Sequence, residues 1–319
     1  MAVEKMAAEG EDLMISPPPA GTQNKKKKHI FRRYQGYLWV IPSFVLLLIF
    51  SYYPPVAAFF YSLTDWNGVQ FNFTGIANFT RLFQDEAFFR SMGSMLILLI
   101  VGMVAGNIMT IILAELLFNL KSTKASNALR FLFILPILVP GLVSMLMWTK
   151  VIFSPAPSGL MNTIFRWFGI PNSSWYYSEK TVLISIIFTG FPWVAGTSFL
   201  IYLAGLQSIP ESVFEAAELD GITIWKRLIY IDLPMIRSQI KYFVVLGIIG
   251  GIQNYSMQFA VIKPGPDNPA MVPGYYMYVS AFSYSEYGYA CAIGLFLFII
   301  ILVVTIINNK FMKTTEVIS

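Results

Sequence analysis

The chain has 319 residues, of which 56% are hydrophobic and only 12% are charged, and its mean hydropathy is +0.63. A soluble globular domain carries about 25% charged residues, so the composition excludes a soluble fold for most of the chain. The net charge of +5 comes from 22 basic and 17 acidic residues. The positions of the basic residues prove more informative than their sum.

The first 36 residues are polar and basic and show no apolar periodicity. They contain three consecutive prolines at 17–19 and four consecutive lysines at 25–28. We predict that residues 1–36 form a disordered cytoplasmic tail. Because the lysines precede a first apolar run, we interpret them as a topology anchor and a contact for anionic lipid rather than as a nucleic-acid site.

Six later stretches lack Asp, Glu, Lys and Arg and are long enough to cross a bilayer core, which takes about 20 apolar residues. Their apolarity is continuous, unlike the single apolar face of a helix in a soluble bundle, and it lacks the alternation of a β-barrel strand. A spanning backbone outside a barrel must be helical. The sequence therefore predicts an all-α integral membrane fold, with six transmembrane helices within residues 37–312 and a short cytoplasmic tail at 313–319. The stretches are 34–64, 91–114, 131–149, 181–210, 242–262 and 287–309.

A seventh uncharged stretch, 268–285, is rich in proline, tyrosine and serine. This composition favours a loop or a partly immersed helix over a span.

The distribution of basic residues predicts the orientation, because cytoplasmic loops near spans are enriched in Lys and Arg. With the N-terminus inside, 16 of the 22 basic residues fall on the cytoplasmic side and 6 on the other. Both termini are therefore predicted to be cytoplasmic.

Several kinds of chemistry are missing from the sequence. There is one histidine, His29, and one cysteine, Cys291, too few for a metal cluster or a disulfide. No phosphate-binding loop of the G-x-x-x-x-G-K-[ST] type occurs, so we expect no ATP hydrolysis and no bound cofactor in this chain. The spans hold no ionisable residue of the kind that couples transport to an ion gradient. We interpret Glu115 and Lys150, at span ends, as side chains that snorkel to the interface.

The longest predicted cytoplasmic loop, 208–234, has the features of a helical hairpin. Ser208 and Glu211 have the spacing of a capping box, and Gly221 follows a run of helix formers as a C-terminal stop would. Thr223 can cap a second short helix. The apolar residues at helical spacing in this second helix, which Pro234 closes, are Ile224, Leu228 and Ile231.

Seven residues of the loop have the spacing of the EAA motif: Glu215, Ala216, Ala217, Gly221, Ile231, Leu233 and Pro234. The chain thereby resembles the permease subunits of binding-protein-dependent ABC importers, which carry this loop between the fourth and fifth of six spans. The resemblance implies the type I ABC importer fold and coupling helices that insert into a cleft on an ATPase subunit. It implies a polar contact for Glu215, the turn for Gly221, and a closely packed surface for Ala216 and Ala217. The alternative is an amphipathic hairpin resting on lipid headgroups, against which the four acids of the first helix argue.

Outside the loop, segments 51–66 and 253–290 are similar to sugar permeases of the maltose and glycerol-phosphate type, although Ser256 and Pro264 replace an Asp and a Gly common there. The resemblance implies a carbohydrate substrate, a mono- or oligosaccharide, delivered by an extracytoplasmic solute-binding protein. It also implies a second six-span permease as heterodimer partner, two ATPase subunits that bind ATP and Mg, and a place in the bacterial plasma (inner) membrane.

Four residues within two turns of the fifth predicted span could line the substrate pathway: Gln253, Asn254, Tyr255 and Gln258. Hydrogen-bonding and aromatic groups without charge suit a neutral sugar, and such a cluster is costly when it faces lipid. Hydrogen bonds between helices are the alternative explanation. Other residues that could contribute, although packing explains them more simply, are Asn107, Trp148 and Trp193.

Two other functions remain open from the sequence. One is a permease of the same class for glycerol phosphate or a peptide, although an anionic substrate favours basic residues that the spans lack. The other is a multispan membrane enzyme, for which His29 and Cys291 are a poor set of reactive groups.

Overall fold

The computed structural model describes residue 37 and residues 39–194, 196–261 and 268–311. Regular structure in these residues is helical, apart from one isolated bridge between Thr64 and Phe73. The chain divides into two compact units, residues 1–57 and 58–319. The predicted tails, 1–36 and 313–319, lie outside the described residues.

The helices follow the apolar runs, with short helices in the connections. In chain order they are α1 (Trp39–Tyr61), α2 (Ala77–Gln84), α3 (Glu86–Phe118), α4 (Thr123–Ile134), α5 (Gly141–Met147), α6 (Leu160–Trp167), α7 (Val182–Phe188), α8 (Gly196–Gln207), α9 (Glu211–Leu219), α10 (Ile224–Arg227), α11 (Arg237–Gln253), α12 (Ser256–Val261), α13 (Pro273–Phe282) and α14 (Tyr287–Phe311). A 3-10 turn, Leu135–Leu138, extends α4, and π turns follow α5 and α10 at Trp148–Ile152 and Leu228–Asp232.

Four helices of the described chain are long and apolar enough to cross a membrane: α1, α3, the helix Arg237–Val261 formed by α11 and α12, and α14. The predicted all-α membrane fold is confirmed. The predicted run 131–149 is a bent pair instead, Thr123–Leu138 and Gly141–Ile152, at an angle of 93°. Pro140 causes the bend, because its ring disfavours helical backbone at Val139, which is extended with ψ 122°.

The fourth predicted run, 181–210, is divided into α7 and α8 by residues 189–194. Neither half is long enough to span alone. The described helices therefore account for four or five spans by length, and the total of six stays a prediction.

The uncharged stretch 268–285 contains α13, a ten-residue helix with its first turns buried. Ten residues rise about 15 Å along a helix, half of a bilayer core, which agrees with its interpretation as a segment that does not span.

Two clusters of buried apolar side chains lie in the second unit. One joins α3, α7, α13 and α14 and includes Phe88, Val182 and Ile293. The other joins α3 and α8 to the start of α11 and includes Ala114 and Phe199. Side chains of α9 pack against this second cluster, so the loop 208–234 rests on the ends of the membrane helices.

Candidate functional site

The first arm of the loop 208–234 is α9, which begins at Glu211 after Pro210 in the N-cap position. The predicted capping box is absent. The Ser208 hydroxyl donates to the Gly205 carbonyl at 2.7 Å instead, because Ser208 belongs to the turn that ends α8 and lies two residues before the cap. No side-chain hydrogen bond caps α9.

The first arm ends at Gly221, as the sequence predicts. Gly221 has φ +66°, its N–H donates to the Glu218 carbonyl at 3.1 Å, and the Ile222 N–H donates to the Ala217 carbonyl at 3.0 Å. This pair of bonds is a Schellman motif, whose left-handed residue is usually glycine. A Cβ on Gly221 would meet nothing within 4 Å, so backbone conformation alone explains the glycine.

The second arm begins with Thr223 at the N-cap of α10, although its hydroxyl makes no capping bond. The predicted apolar face is split, because Ile224 is exposed while Leu228 and Ile231 are half-buried. The prediction that Pro234 closes the second helix is wrong. Pro234 occupies the first turn of a short helix, Leu233–Met235, where the missing N–H of proline is tolerated.

The outer surface of the loop is both apolar and acidic. Glu215 and Ala216 are exposed, whereas Ala217 is buried within the chain. Large apolar side chains are also exposed, with Trp225 at 75% and Tyr230 at 73%. Further exposed residues of this surface are Glu218, Leu219 and Ile224. Exposed apolar groups of this size, next to carboxylates, are typical of a protein contact surface.

Beneath the surface, Arg227 joins the loop to the end of α3. Its Nε lies 3.1 Å from Asp232 Oδ2, and its Nη2 lies 3.6 Å from Glu115 Oε1 and donates to Asn119 Oδ1. Asp232 is fully buried, and Glu115 is only 7% exposed. The interpretation of Glu115 as a snorkelling side chain is therefore wrong, because the loop covers it and supplies a cation.

Sequence reasoning missed this cluster because Glu115 and Arg227 are more than 100 residues apart. A signal was present, however. An acidic residue follows an apolar run, and the loop carries an arginine and an aspartate five residues apart, each of which needs a partner if buried.

A cavity of about 740 Å³ opens where three chain breaks meet: the bend after α4, the segment 189–194 and the interruption between α11 and α12. Its lining is mainly apolar, with residues such as Leu142, Met145 and Val194. The polar and aromatic members include Ser144, Trp148, Thr189, Phe191 and Ser256. The lining contains no Asp, Glu, Lys or Arg among the described residues.

The four predicted pathway residues are not gathered around this cavity. Gln253 and Asn254 are exposed at the interruption, where Asn254 Oδ1 accepts the Ser256 N–H at 3.1 Å. Gln258 is 3% exposed and packs into the core. Tyr255 lines a different cavity of about 270 Å³ and stacks on Tyr278 with ring centroids 6.1 Å apart. The interruption directs neighbouring side chains to different sides, so Ser256 and Met257 reach the larger cavity instead.

Of the three other residues singled out, Trp148 lines the larger cavity. Trp193 and Asn107 line a separate cavity of about 290 Å³. Asn107 Oδ1 accepts the Tyr202 hydroxyl at 2.6 Å, which is the hydrogen bonding between helices that packing predicts.

A polar cluster ties α2 to α13 and α14. The Arg81 guanidinium pairs with both Glu286 oxygens at 2.8 and 3.0 Å. Asp85 accepts the hydroxyls of Tyr276 at 2.7 Å and Tyr289 at 2.6 Å. Burial raises the pKa of the Asp85 carboxyl, but these bonds and backbone N–H groups outweigh it and hold the pKa below its ordinary value.

Comparison with known proteins places these features in context. Residues 106–315 match the family of binding-protein-dependent transport system inner membrane components. The chain is 31% identical to the multiple sugar-binding transport system permease protein MsmF of Streptococcus mutans, over 91% of this chain and 99% of that protein. It is 26% identical to the arabinooligosaccharides transport system permease protein AraP of Bacillus subtilis, over 93% and 95%.

Another relative, the lactose transport system permease protein LacF of Rhizobium radiobacter, is 28% identical over 81% of this chain and 87% of its own length. Among solved structures, a chain of a bacterial alginate ABC transporter, crystallised with an alginate pentasaccharide-bound periplasmic protein, superposes with a TM-score of 0.76. That chain is 24% identical, with 89% of this chain and 95% of that chain covered. The two chains therefore share a fold.

Proposed function

This chain belongs to the family of binding-protein-dependent transport system inner membrane components, and we propose that it is the permease subunit of an ATP-driven carbohydrate importer. Members of this kind are permeases and not themselves catalysts. The chain is a multipass membrane protein. We place it in the bacterial plasma membrane with both termini in the cytoplasm. The orientation rests on the distribution of its basic residues, 16 of which fall on the predicted cytoplasmic side.

The observation that carries the proposal is the shape of the loop 208–234. Glu215, Ala216 and Ala217 lie in α9, which ends in the Schellman turn at Gly221, and the other EAA residues lie after α10. The exposed surface of the loop combines Glu215 with apolar groups such as Trp225. An exposed surface that combines carboxylates with large apolar side chains is suited to docking into a cleft of an ATPase subunit. ATP and Mg would be bound by two such ATPases and not by this chain.

A sugar substrate is supported by two independent findings. The names of the relatives MsmF, AraP and LacF refer to sugars or oligosaccharides. The larger cavity has an uncharged, mainly apolar lining that also presents hydroxyls and aromatic rings. Sugars are neutral and have apolar ring faces, which suit such a lining. Glycerol phosphate or another anion would favour a cation there, and the described lining has none. We place the pathway at this cavity and keep Gln253 and Asn254, which are exposed at the interruption between α11 and α12, as candidate pathway residues.

The remaining partners follow from the class of transporter. We propose a second six-span permease, which completes a heterodimeric pore, and an extracytoplasmic solute-binding protein that docks on the outer loops. The family description names a binding protein, and the structurally similar alginate transporter was crystallised with a periplasmic one.

Co-purification tests the contact with the ATPase. The chain is expressed with any permease, ATPase and binding protein whose genes are found beside its own, and the ATPase recovered with a tag on this chain is measured. Trp225→Ala should weaken the association about 30-fold, because truncating an aromatic hot spot costs about 2 kcal/mol. Trp167→Ala is the matched control, since Trp167 is equally exposed, at 77%, but lies on a predicted outer loop. If the wild-type chain never retains an ATPase, the proposal fails.

Uptake by the reconstituted complex tests the substrate and the cavity. Radiolabelled arabinotriose and lactose serve as probes, and glycerol 3-phosphate tests the alternative. Ser256→Leu, which replaces a hydroxyl of the cavity by a larger apolar side chain, should lower uptake, whereas Lys121→Gln, at an exposed site, should not. Uptake of glycerol 3-phosphate alone would contradict the sugar assignment, and normal uptake by Ser256→Leu would contradict the cavity.

A further inference from the structure

We propose that Arg227 is the positioning residue that ties the loop 208–234 to α3, so that the two move as one body when the ATPase displaces the loop. The proposal rests on the proposed function. Arg227 is the last residue of α10 and reaches both arms of the loop and the last turn of α3.

The geometry of the contact makes Arg227 the centre of the junction. Within the loop, its guanidinium bonds Asp232 at 3.1 Å and lies 5.2 Å from the ring centroid of Phe214 in α9. On α3, it contacts Glu115 and Asn119 and lies 5.9 Å from the ring centroid of Phe118. A single side chain thus holds three elements through one planar group.

The charges explain why the junction should stay closed during movement. The Glu115 side chain is 9% exposed and that of Asp232 is 0% exposed, so Arg227 serves two buried carboxylates at once. Separating the loop from α3 would remove the Arg227 guanidinium from Glu115 and Asn119 and lose both contacts. Within the described residues, the buried-atom geometry shows no hydrogen bond from another basic side chain to either Glu115 oxygen or to Asp232 Oδ1.

The shape of arginine matters as well as its charge. Nε points to Asp232 while Nη2 points to Glu115 and Asn119. Lysine is a point charge on a flexible stem and lacks this fork, so it can hold one carboxylate but not the whole junction. The ring contact between Phe118 and Phe214, with centroids 5.5 Å apart, joins the same elements. It lacks the directed hydrogen bonds that would set their relative orientation.

A distance measurement in the assembled complex tests whether the loop and α3 move together. Cys291, the only cysteine in the chain, is replaced by serine, and spin labels are attached at Leu116→Cys on α3 and Ser212→Cys on α9, both exposed sites. The other subunits are made cysteine-free. With Arg227 intact, the label distance should be narrow and unchanged between the nucleotide-free complex and the complex trapped with Mg-ATP and vanadate. With Arg227→Gln, it should broaden or shift on trapping.

Uptake per ATP hydrolysed separates this role from a merely structural one. Arabinotriose and lactose are the probes. Arg227→Gln should lower the ratio about tenfold, within the range of couplings between distant sites. Arg227→Lys should recover part of the loss. Lys121→Gln, which removes an exposed positive charge two residues after Asn119, should behave as wild type.

Arg227→Gln could fail to assemble because it leaves two carboxylates unpaired. The neutral triple variant Glu115→Gln, Arg227→Gln, Asp232→Asn removes that defect and should assemble but still show the broadened distance and the lowered ratio. A wild-type label distance that changes on trapping would overturn the proposal. So would a triple variant with a narrow, unchanged distance and normal uptake per ATP. Absence of any ATPase from the wild-type complex would instead overturn the proposed function.

Discussion

Replacing Gly288 by alanine should destabilise the protein by forcing two backbone segments apart. Gly288 lies in the first turn of α14, and its N–H donates to the Trp66 carbonyl at 2.9 Å. A Cβ at this position would stand 2.1 Å from the Thr64 carbonyl oxygen, where ordinary van der Waals contact begins at 3.4 Å. The obstacle is backbone, so no side-chain rotation can relieve it.

The magnitude follows from this geometry. The two segments must separate by 1.3 Å, the difference between 3.4 and 2.1 Å. Overpacking of this kind costs about 1–3 kcal/mol, and loss of the bond to the Trp66 carbonyl adds about 1 kcal/mol. Alanine returns up to about 1 kcal/mol through its higher helix propensity. The net loss in free energy of unfolding should be about 1–3 kcal/mol.

The assay is thermal unfolding of the purified protein. Unfolding is detected as the thiol of Cys291 becomes accessible and reacts with a fluorogenic maleimide. At about 2–4 °C per kcal/mol, the midpoint for Gly288→Ala should fall by several degrees. Gly250→Ala is the control, because a Cβ on Gly250 within α11 would meet nothing within 4 Å. It should melt at or above the wild-type midpoint. Equal midpoints for Gly288→Ala and wild type would refute the steric argument.

Three further outcomes are expected. Asn162 is fully buried and accepts from the Ser173 N–H and Trp175 Nε1, so Asn162→Ala should cost about 2–4 kcal/mol in thermal unfolding, whereas the exposed Asn172→Ala should cost almost nothing. Gly221→Ala should cost about 1–2 kcal/mol because of its positive φ, and Gly221→Asn less; equal losses would contradict the backbone explanation. Because the pKa of Asp85 is held below its ordinary value, its contribution to stability is present near neutral pH and lost as pH falls through the folded pKa. Tyr276→Phe removes one of its hydrogen bonds and should lower stability at pH 7 while reducing the further loss as the pH falls below about 5; an unchanged melting profile would argue against that bond.

The membrane class and the loop could be derived from the sequence alone, because both depend on local properties. Runs such as 91–114 exclude charge over the length of a bilayer core, and a helix forms there whatever lies beside it. Gly221 ends α9 because a left-handed residue suits glycine in any surroundings. The EAA spacing likewise needs only residue order, and the family match confirms the resemblance that it suggests.

The tertiary structure decided which side chains meet. The bend at Pro140, the gap between α7 and α8 and the interruption at Asn254 together form the larger cavity, and each displaces residues that a straight helix would align. Tyr255 and Ser256 thus line different cavities although they are neighbours. Glu115 and Arg227 form an ion pair only because the loop folds back onto the end of α3. Hydropathy is a property of one segment, whereas the pairing of buried charges depends on where two segments pack, and only the folded chain determines that.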